Sequence, residues 1–140
     1  MVQGAAGQDT LYFQELLLSC KKVKVVPHLI HSYYAYVEGS VTNTVSAKFF
    51  EKFYKVEQER IKFLIKEGLI EYYMEIKFNF YFKNWYLKKY SQVLDIEKEK
   101  SFDYMHSIIK LYKDYTMYID KDILDIFDKK NFGINLSHKN

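Results

Sequence analysis

Glycine and proline are scarce in this sequence, and their scarcity limits the possible folds more than any other feature. The 140 residues include 5 glycines and 1 proline, the residue types that sharp turns most often require. A many-stranded β fold needs frequent turns, whereas long helices need few. Hydrophobic residues make up 49% of the sequence, which is enough for one domain with a single core. We therefore predict an all-α domain built on long helices.

The charge argues against a dedicated nucleic-acid binder, and the cysteine content excludes an intrachain disulfide. The net charge of +3 is mildly basic, well short of the strongly cationic surface of a dedicated nucleic-acid binder. The 14 tyrosines and 11 phenylalanines, with many Lys, Ile and Asn, are typical of an AT-rich genome, so a single Tyr or Lys is weak evidence of function. Cys20 is the single cysteine, which excludes an intrachain disulfide and favours a cytoplasmic or cytosol-facing location.

The chain shows no targeting segment. No apolar run approaches the about 18 residues of a membrane span, and no basic segment precedes an apolar one at the N-terminus. Residues 9–14 (DTLYFQ) are similar to a protease-cleavage tag. We expect residues 1–10 to be a disordered N-terminal segment or tag remnant, residues 11–133 a single helical domain, and residues 134–140 a flexible tail.

Two short helices are predicted near the N-terminus. Asp9 or Thr10 can cap a helix over residues 11–23. Pro27 favours a break, because a residue before proline avoids the helical conformation. A second helix is predicted over residues 28–37, and together the two form a short antiparallel hairpin that packs on the bundle.

A long helix follows Ser46, which we predict to be its N-cap. Gly68 is unfavourable inside a helix by roughly 1 kcal/mol, so a bend there is possible. The apolar residues of this helix recur at spacings of three or four: Phe49, Phe50, Phe53, Ile61, Leu64, Ile65, Leu69 and Tyr72.

Residues 76–82 fit two patterns. Apolar residues alternate with polar ones, as in a half-buried strand, but they also continue a helical stripe. Because no turn signal lies between Gly68 and Tyr90, we predict a continued helix. A charged connector over residues 93–100 and two further helices, over residues 101–118 and 120–129, complete the domain.

The last of these helices resembles that of the SPX domain family, whose members sense phosphate by binding inositol pyrophosphates. Residues 122–129 (DILDIFDK) match the apolar frame of the family motif K-I-x-K-K-x-D-K. The first three lysine positions read Asp122, Asp125 and Ile126, and only the last, Lys129, is kept. The resemblance therefore implies an SPX-like fold whose ligand chemistry is weakened or lost.

Three further segments resemble the family in the same order. Residues 12–17 (YFQELL) are similar to K-F-G-x-x-L, and residues 33–40 (YYAYVEGS) are similar to Y-x-x-Y-x-x-L-K. Residues 49–61 resemble F-F-x-x-L-x-x-E-L-x-K-V with a slip of one residue. The resemblance thus covers most of the chain, although each motif is short and mostly apolar.

A candidate ligand patch follows from the resemblance. The family tyrosine corresponds to Tyr36 and its second-helix lysine to Ser40. Several phosphates require several fixed positive charges, so the loss of these lysines should weaken binding. Neighbouring lysines are able to replace part of the charge, or they only keep the surface soluble. The candidate ligand-binding residues are Tyr36, Lys129, Lys130, Lys21 and Lys22.

The sequence gives no support for catalysis or for a bound metal or cofactor. His28 and His31 have helical spacing, but no nearby Cys, Asp or Glu completes a metal site. Cys20 lies among leucines, and we predict a buried, inert thiol. The glutamates of the long helix, including Glu57, are expected to face solvent.

Aromatic residues near position 80 form a candidate interaction stripe. It consists of Phe78, Phe82, Trp85 and Tyr86. The stripe fits the core of the domain, a surface on which a partner helix docks, or a platform for single-stranded bases.

The predicted function is a non-catalytic SPX-like module with a protein partner, a role in phosphate homeostasis, and reduced or lost inositol (pyro)phosphate binding. One alternative is a lineage-specific helical adaptor or structural subunit unrelated to SPX. The other is a weak single-stranded nucleic-acid binder.

Overall fold

A computed structural model describes residues 8–27 and 45–135, with side chains for residues 9–27 and 45–128. Most residues in these ranges are helical and none of them forms a β-strand, which confirms the all-α prediction. The predicted helix over residues 28–37, and with it the N-terminal hairpin, lies outside the described residues. None of the described helices is long and apolar enough to cross a membrane.

Five α-helices and one 3-10 helix make up the described ranges. They are α1 (Gln8–Ser19), α2 (Ala47–Lys66), α3 (residues 70–90), α4 (Asp95–Leu111), the 3-10 helix (Lys113–Tyr118) and α5 (Lys121–Asn135). Short connections join α2, α3 and α4, and α2 packs along α4.

The start of α2 is capped by a remote side chain. Ser46 has the extended backbone of an N-cap residue, but its side chain makes no capping hydrogen bond. Instead, the backbone N–H of Ala47 donates to Oε2 of Glu97, at 2.9 Å. The carboxylate also lies at the positive end of the α2 dipole, where a negative charge is favourable.

Gly68 ends α2, so the prediction of one long helix through this position is wrong. Gly68 has a φ of 67°, in the left-handed region that favours glycine. Its N–H donates to the carbonyl of Ile65, and the N–H of Leu69 donates to the carbonyl of Leu64. This is a Schellman motif, which satisfies the last carbonyl groups of a helix. The chain then turns and starts α3 at Ile70.

Residues 76–82 are helical, as predicted, but α3 is not a regular α-helix. It contains two π-helical stretches, Met74–Phe78 and Phe82–Leu87. Tyr73 of α3 is buried, and five further buried residues recur beside it at a strict spacing of four: Ile70, Met74, Phe78, Phe82 and Tyr86. In a regular α-helix, residues four apart drift by about 40° around the axis. A π-turn holds more residues than an α-turn, so the two stretches keep this stripe on one face.

The other predicted boundaries are partly correct. Helix α1 begins before Asp9, which therefore lies in its first turn and is not the cap. The predicted connector over residues 93–100 is mostly helix, because α4 starts at Asp95. The predicted helix over residues 101–118 changes to a 3-10 helix after α4, and α5 continues past Gly133.

Aromatic side chains join α2 to α5 in one core. Phe53 of α2 meets Tyr86 of α3 edge-on, with ring centroids 6.0 Å apart. Phe127 of α5 packs against Phe102 of α4 at 4.9 Å and against Phe82 of α3 at 5.9 Å. Helix α1 adds one buried side chain, Leu11.

Candidate functional site

An ion pair is enclosed in the core between α2, α3 and α4. Glu57 and Arg60 lie one turn apart on the buried face of α2 and are 1% and 3% exposed. Their side chains contact each other directly through Arg60 Nη1 and Glu57 Oε1. The prediction that Glu57 faces solvent is wrong, because α3 and α4 cover this face of α2.

Tyrosine hydroxyl groups make further hydrogen bonds to the pair, and Nε of Arg60 is buried without a hydrogen-bond partner. Tyr86 donates to Oε1 of Glu57 at 2.7 Å, and Tyr112 donates to Oε2 at 2.6 Å. Arg60 lies 3.5 Å from the hydroxyl oxygen of Tyr73, which accepts from its guanidinium group. We call these five residues the buried network. A buried carboxylate needs such partners, since an unpaired charge in the core is strongly unfavourable.

The buried network keeps its phenols neutral and its guanidinium charged. Burial, followed by the negative charge of Glu57, raises the pKa of Tyr86 and of Tyr112 well above the usual range. For Arg60, burial is the largest single influence and lowers the pKa, but the attraction of Glu57 and of the neighbouring tyrosines together outweighs it and raises the pKa above its usual range. The guanidinium also lies 5.2 Å from the ring centroid of Tyr81. The network is therefore suited to holding three helices together.

An apolar groove lies between α1 and the corner where α2 meets α3. It encloses about 240 Å³. Tyr73 forms part of the lining, so the groove adjoins the buried network, and Lys77 also belongs to the lining. The apolar side chains that line it are Leu17, Leu18, Phe63, Leu64, Leu69, Tyr72 and Tyr73.

A more polar pocket of about 430 Å³ continues the groove along α1. Both pockets share Leu18 and Phe63, and the second is lined also by Glu15, Lys66 and Glu67. The groove thus has an apolar part and a charged end, the arrangement that suits an amphipathic segment of a protein.

Lys83 joins α3 to the start of α5. Its ammonium group lies 2.6 Å from a carboxylate oxygen of Asp120 and 2.8 Å from one of Asp122. Its hydrogen bond lowers the pKa of Asp122. Asn79 supports the same junction, because its side chain donates to the carbonyl of Tyr118 and accepts from the N–H of Asp120. Asp122, at the first lysine position of the SPX motif, is thus one of two carboxylates gathered around one lysine.

The candidate ligand-binding residues are placed only in part. Tyr36 lies outside the described residues. Lys129 and Lys130 belong to α5, but their side chains lie outside the described set. Lys21 and Lys22 are exposed on the segment after α1.

Most of the aromatic stripe lies in the core, so the prediction of an interaction surface there is wrong. Phe78, Phe82 and Tyr86 are 2%, 0% and 1% exposed. Trp85 is partly buried, stacks on Tyr81 with centroids 6.3 Å apart, and packs against phenylalanines of α2. These rings face the interior of the domain, so the geometry favours the core interpretation over docking or base stacking.

Cys20 is exposed, so the predicted burial of its thiol is wrong. The reason is that α1 ends at Ser19 and the thiol lies on the non-helical segment that follows. Within residues 8–27 and 45–135, no three His, Cys, Asp or Glu side chains are grouped to hold a metal ion.

Sequence reasoning missed Glu57 and Arg60 as members of the core. A signal was present, since Glu57 follows Phe53 by four residues and Arg60 follows it by seven, which places both on the apolar face.

Comparison of the chain with protein-family models, with curated proteins and with solved structures finds no match.

Proposed function

We propose that this chain is a non-catalytic helical module that binds a protein partner in the groove between α1 and the α2–α3 corner. The partner is an amphipathic segment that inserts apolar side chains into the groove and places an acidic residue near Lys77. The observation that carries the proposal is the exposed apolar lining, in which Leu17 and Leu18 of α1 face Tyr72 of α3.

The size of the groove supports a peptide segment as its occupant. Its apolar part, at about 240 Å³, lies below the roughly 300–1,000 Å³ of typical small-molecule sites, and with the pocket of about 430 Å³ the groove extends along α1, as an elongated segment requires. Helix-in-groove recognition uses a few apolar anchors at helical spacing, and such anchors fit a shallow lining of Leu, Phe and Tyr. The charged groups of the buried network are occupied by one another, which supports a scaffold role for that part of the core.

We also propose an SPX-like relationship with reduced or lost inositol (pyro)phosphate binding, as the sequence resemblance implies. Asp120 and Asp122 neutralise Lys83 at the start of α5 and would repel a polyanion there. A role in phosphate homeostasis and a cytosolic location rest on the resemblance.

Peptide display tests the groove. Amphipathic peptides selected on the full chain should carry apolar residues three or four apart with an acidic neighbour. Tyr72→Ala should weaken the selected peptides at least tenfold, because a lining aromatic residue is removed. Ile76→Ala is the matched control, since Ile76 is also exposed on α3, at 48% against 59% for Tyr72, and does not line the groove. Equal loss in both variants, or in neither, contradicts the proposal.

A thermal-shift titration with inositol hexakisphosphate tests the second proposal. We expect little change in the melting temperature of the wild-type chain. The triple variant Asp122→Lys, Asp125→Lys, Ile126→Lys should gain a saturable shift if the relationship is real. A large saturable shift of the wild type would overturn the claim of weak binding, and a folded triple variant without a shift would count against the SPX-like relationship.

A further inference from the structure

Helix α1 is apolar on two sides, and the groove uses only one of them. Leu11 is buried and Leu17 and Leu18 line the groove. The other side carries Tyr12, Phe13 and Leu16, whose exposed fractions are 62%, 57% and 43%. Leu16 lies four positions after Tyr12 and three after Phe13, so the three residues share one side, which we call the outer face of α1. A helix that is apolar on both sides normally has a cover on each.

A basic, valine-rich segment follows this helix directly. Lys21, Lys22 and Lys24 are all exposed. Val23 and Val25 alternate with them and are 63% and 90% exposed. Apolar and cationic side chains thus share one short non-helical stretch at the C-terminal end of α1.

The charge along α1 changes sign, from negative on the helix to positive after its C-terminal end. Asp9 lies in the first turn of the helix, and Glu15 lies beside the outer face. The three lysines after the helix give the C-terminal end a local positive charge. Any cover for this end must therefore be apolar and anionic together.

We propose that the outer face of α1 and the basic segment bind the surface of an anionic lipid bilayer. Tyr12, Phe13 and Leu16 would enter the boundary between headgroups and acyl chains, and the lysines would lie over anionic headgroups. Aromatic and leucine side chains on one helix face beside a lysine cluster are typical of interfacial membrane binding. Lysine is depleted in the core of protein–protein interfaces, which argues against a protein as the cover. One short helix with three lysines predicts weak, reversible binding.

Vesicle binding tests the proposal with a polarity-sensitive dye on Cys20, the single and exposed cysteine. The labelled full chain should bind mixed vesicles of phosphatidylcholine and phosphatidylserine and should not bind phosphatidylcholine alone. Lys21→Gln, Lys22→Gln and Lys24→Gln together should weaken binding about a hundredfold, because each lysine near an anionic surface contributes about fivefold. Added salt should also weaken the binding of the wild-type chain to the anionic vesicles.

Two adjacent leucines separate this proposal from the proposed function. Leu16→Asp should abolish vesicle binding and leave the binding of groove peptides intact. Leu17→Asp should abolish the binding of groove peptides and leave vesicle binding intact. Phe13→Ser provides a second variant of the outer face, and unchanged melting temperatures check that all variants fold. Wild-type binding that Leu16→Asp or the lysine variant leaves intact would overturn the proposal. A dimer in sedimentation that Leu16→Asp converts to a monomer, without vesicle binding, would also overturn it and assign the face to a second copy.

Discussion

The core of helices α2, α3 and α4 and the surface of helix α1 use similar side chains in opposite ways. In the core, the aromatic rings of Phe53, Phe82 and Tyr86 are buried and even a glutamate and an arginine are enclosed. On α1, comparable rings at Tyr12 and Phe13 remain more than half exposed. The difference shows that hydrophobic composition alone does not separate scaffold from surface. The core rings pack against one another, whereas α1 leaves apolar area exposed.

The largest expected effect is the loss of one partner from the buried ion pair. Arg60→Met leaves Glu57 buried without a countercharge, so the free energy of unfolding should fall by about 3–5 kcal/mol. Glu57→Gln combined with Arg60→Met should recover much of that loss. Urea titration measures both variants.

The matched surface pair is Glu59 with Lys62, whose charged atoms lie 2.7 Å apart and are exposed. Glu59→Gln should change stability by less than about 0.5 kcal/mol. Equal effects of Glu59→Gln and Arg60→Met would show that the enclosed pair has no special structural role.

Alkaline pH should loosen the core through its phenols. The pKa of Tyr86 and that of Tyr112 are raised in the folded state, so the folded chain holds these protons more tightly than the unfolded chain. Stability is therefore complete below the ordinary tyrosine pKa of about 10 and falls as the pH rises above it. Each phenol adds a loss of up to about 1.4 kcal/mol per pH unit.

Tyr112→Phe should thus flatten the alkaline fall in stability, although it also removes a hydrogen bond to Glu57 and lowers stability at neutral pH. Tyr12→Phe, on the surface of α1, serves as the control. Urea titrations between neutral and alkaline pH measure both. If Tyr112→Phe leaves the alkaline fall in stability unchanged, the phenol of Tyr112 does not contribute to the pH dependence.

The turn after α2 gives a smaller expected effect. Gly68→Ala should lower the free energy of unfolding by about 1 kcal/mol, because alanine is disfavoured at a φ of 67°. A Cβ at this position would meet no atom within 4 Å, so the cost is one of backbone conformation. Gly68→Asn should cost less, since asparagine tolerates this conformation better. Equal effects of alanine and asparagine would contradict this explanation.

The cap of α2 gives the smallest effect. Glu97→Ala should cost about 0.5–1 kcal/mol, because the N–H of Ala47 loses its acceptor and the helix dipole loses a countercharge. Ser46→Ala should have almost no effect, since the Ser46 side chain makes no capping bond. Thermal unfolding of the two variants measures the difference, and a larger effect of Ser46→Ala would reverse the assignment.

Much of the fold could be predicted from the sequence, because helical periodicity and scarce turn residues are local signals. The helical state of residues 76–82 followed from the lack of a turn signal up to Tyr90. The strict spacing of four from Ile70 to Tyr86 is also a sequence signal for the π-helical stretches. A search for ordinary helical periods overlooks this signal.

The sites could be predicted much less well, because they depend on contacts between distant segments. The burial of Glu57 requires hydroxyl donors from Tyr86 and Tyr112, which lie far along the chain. Likewise, Ile65 and Tyr72 belong to the apolar pattern predicted for the long helix. Both are nevertheless exposed, and for Tyr72 the reason is that the chain turns at Gly68 before α3 begins.

The most direct test of the contrast between core and surface is the free energy of unfolding of Phe13→Ser, measured beside that of Phe53→Ser. Phe53 is 4% exposed, and its loss should cost about 3 kcal/mol or more. Phe13 is 57% exposed, and its replacement should change stability by less than about 0.5 kcal/mol. If Phe13→Ser destabilises the chain as much as Phe53→Ser does, the outer face of α1 is part of the core and is not a binding surface.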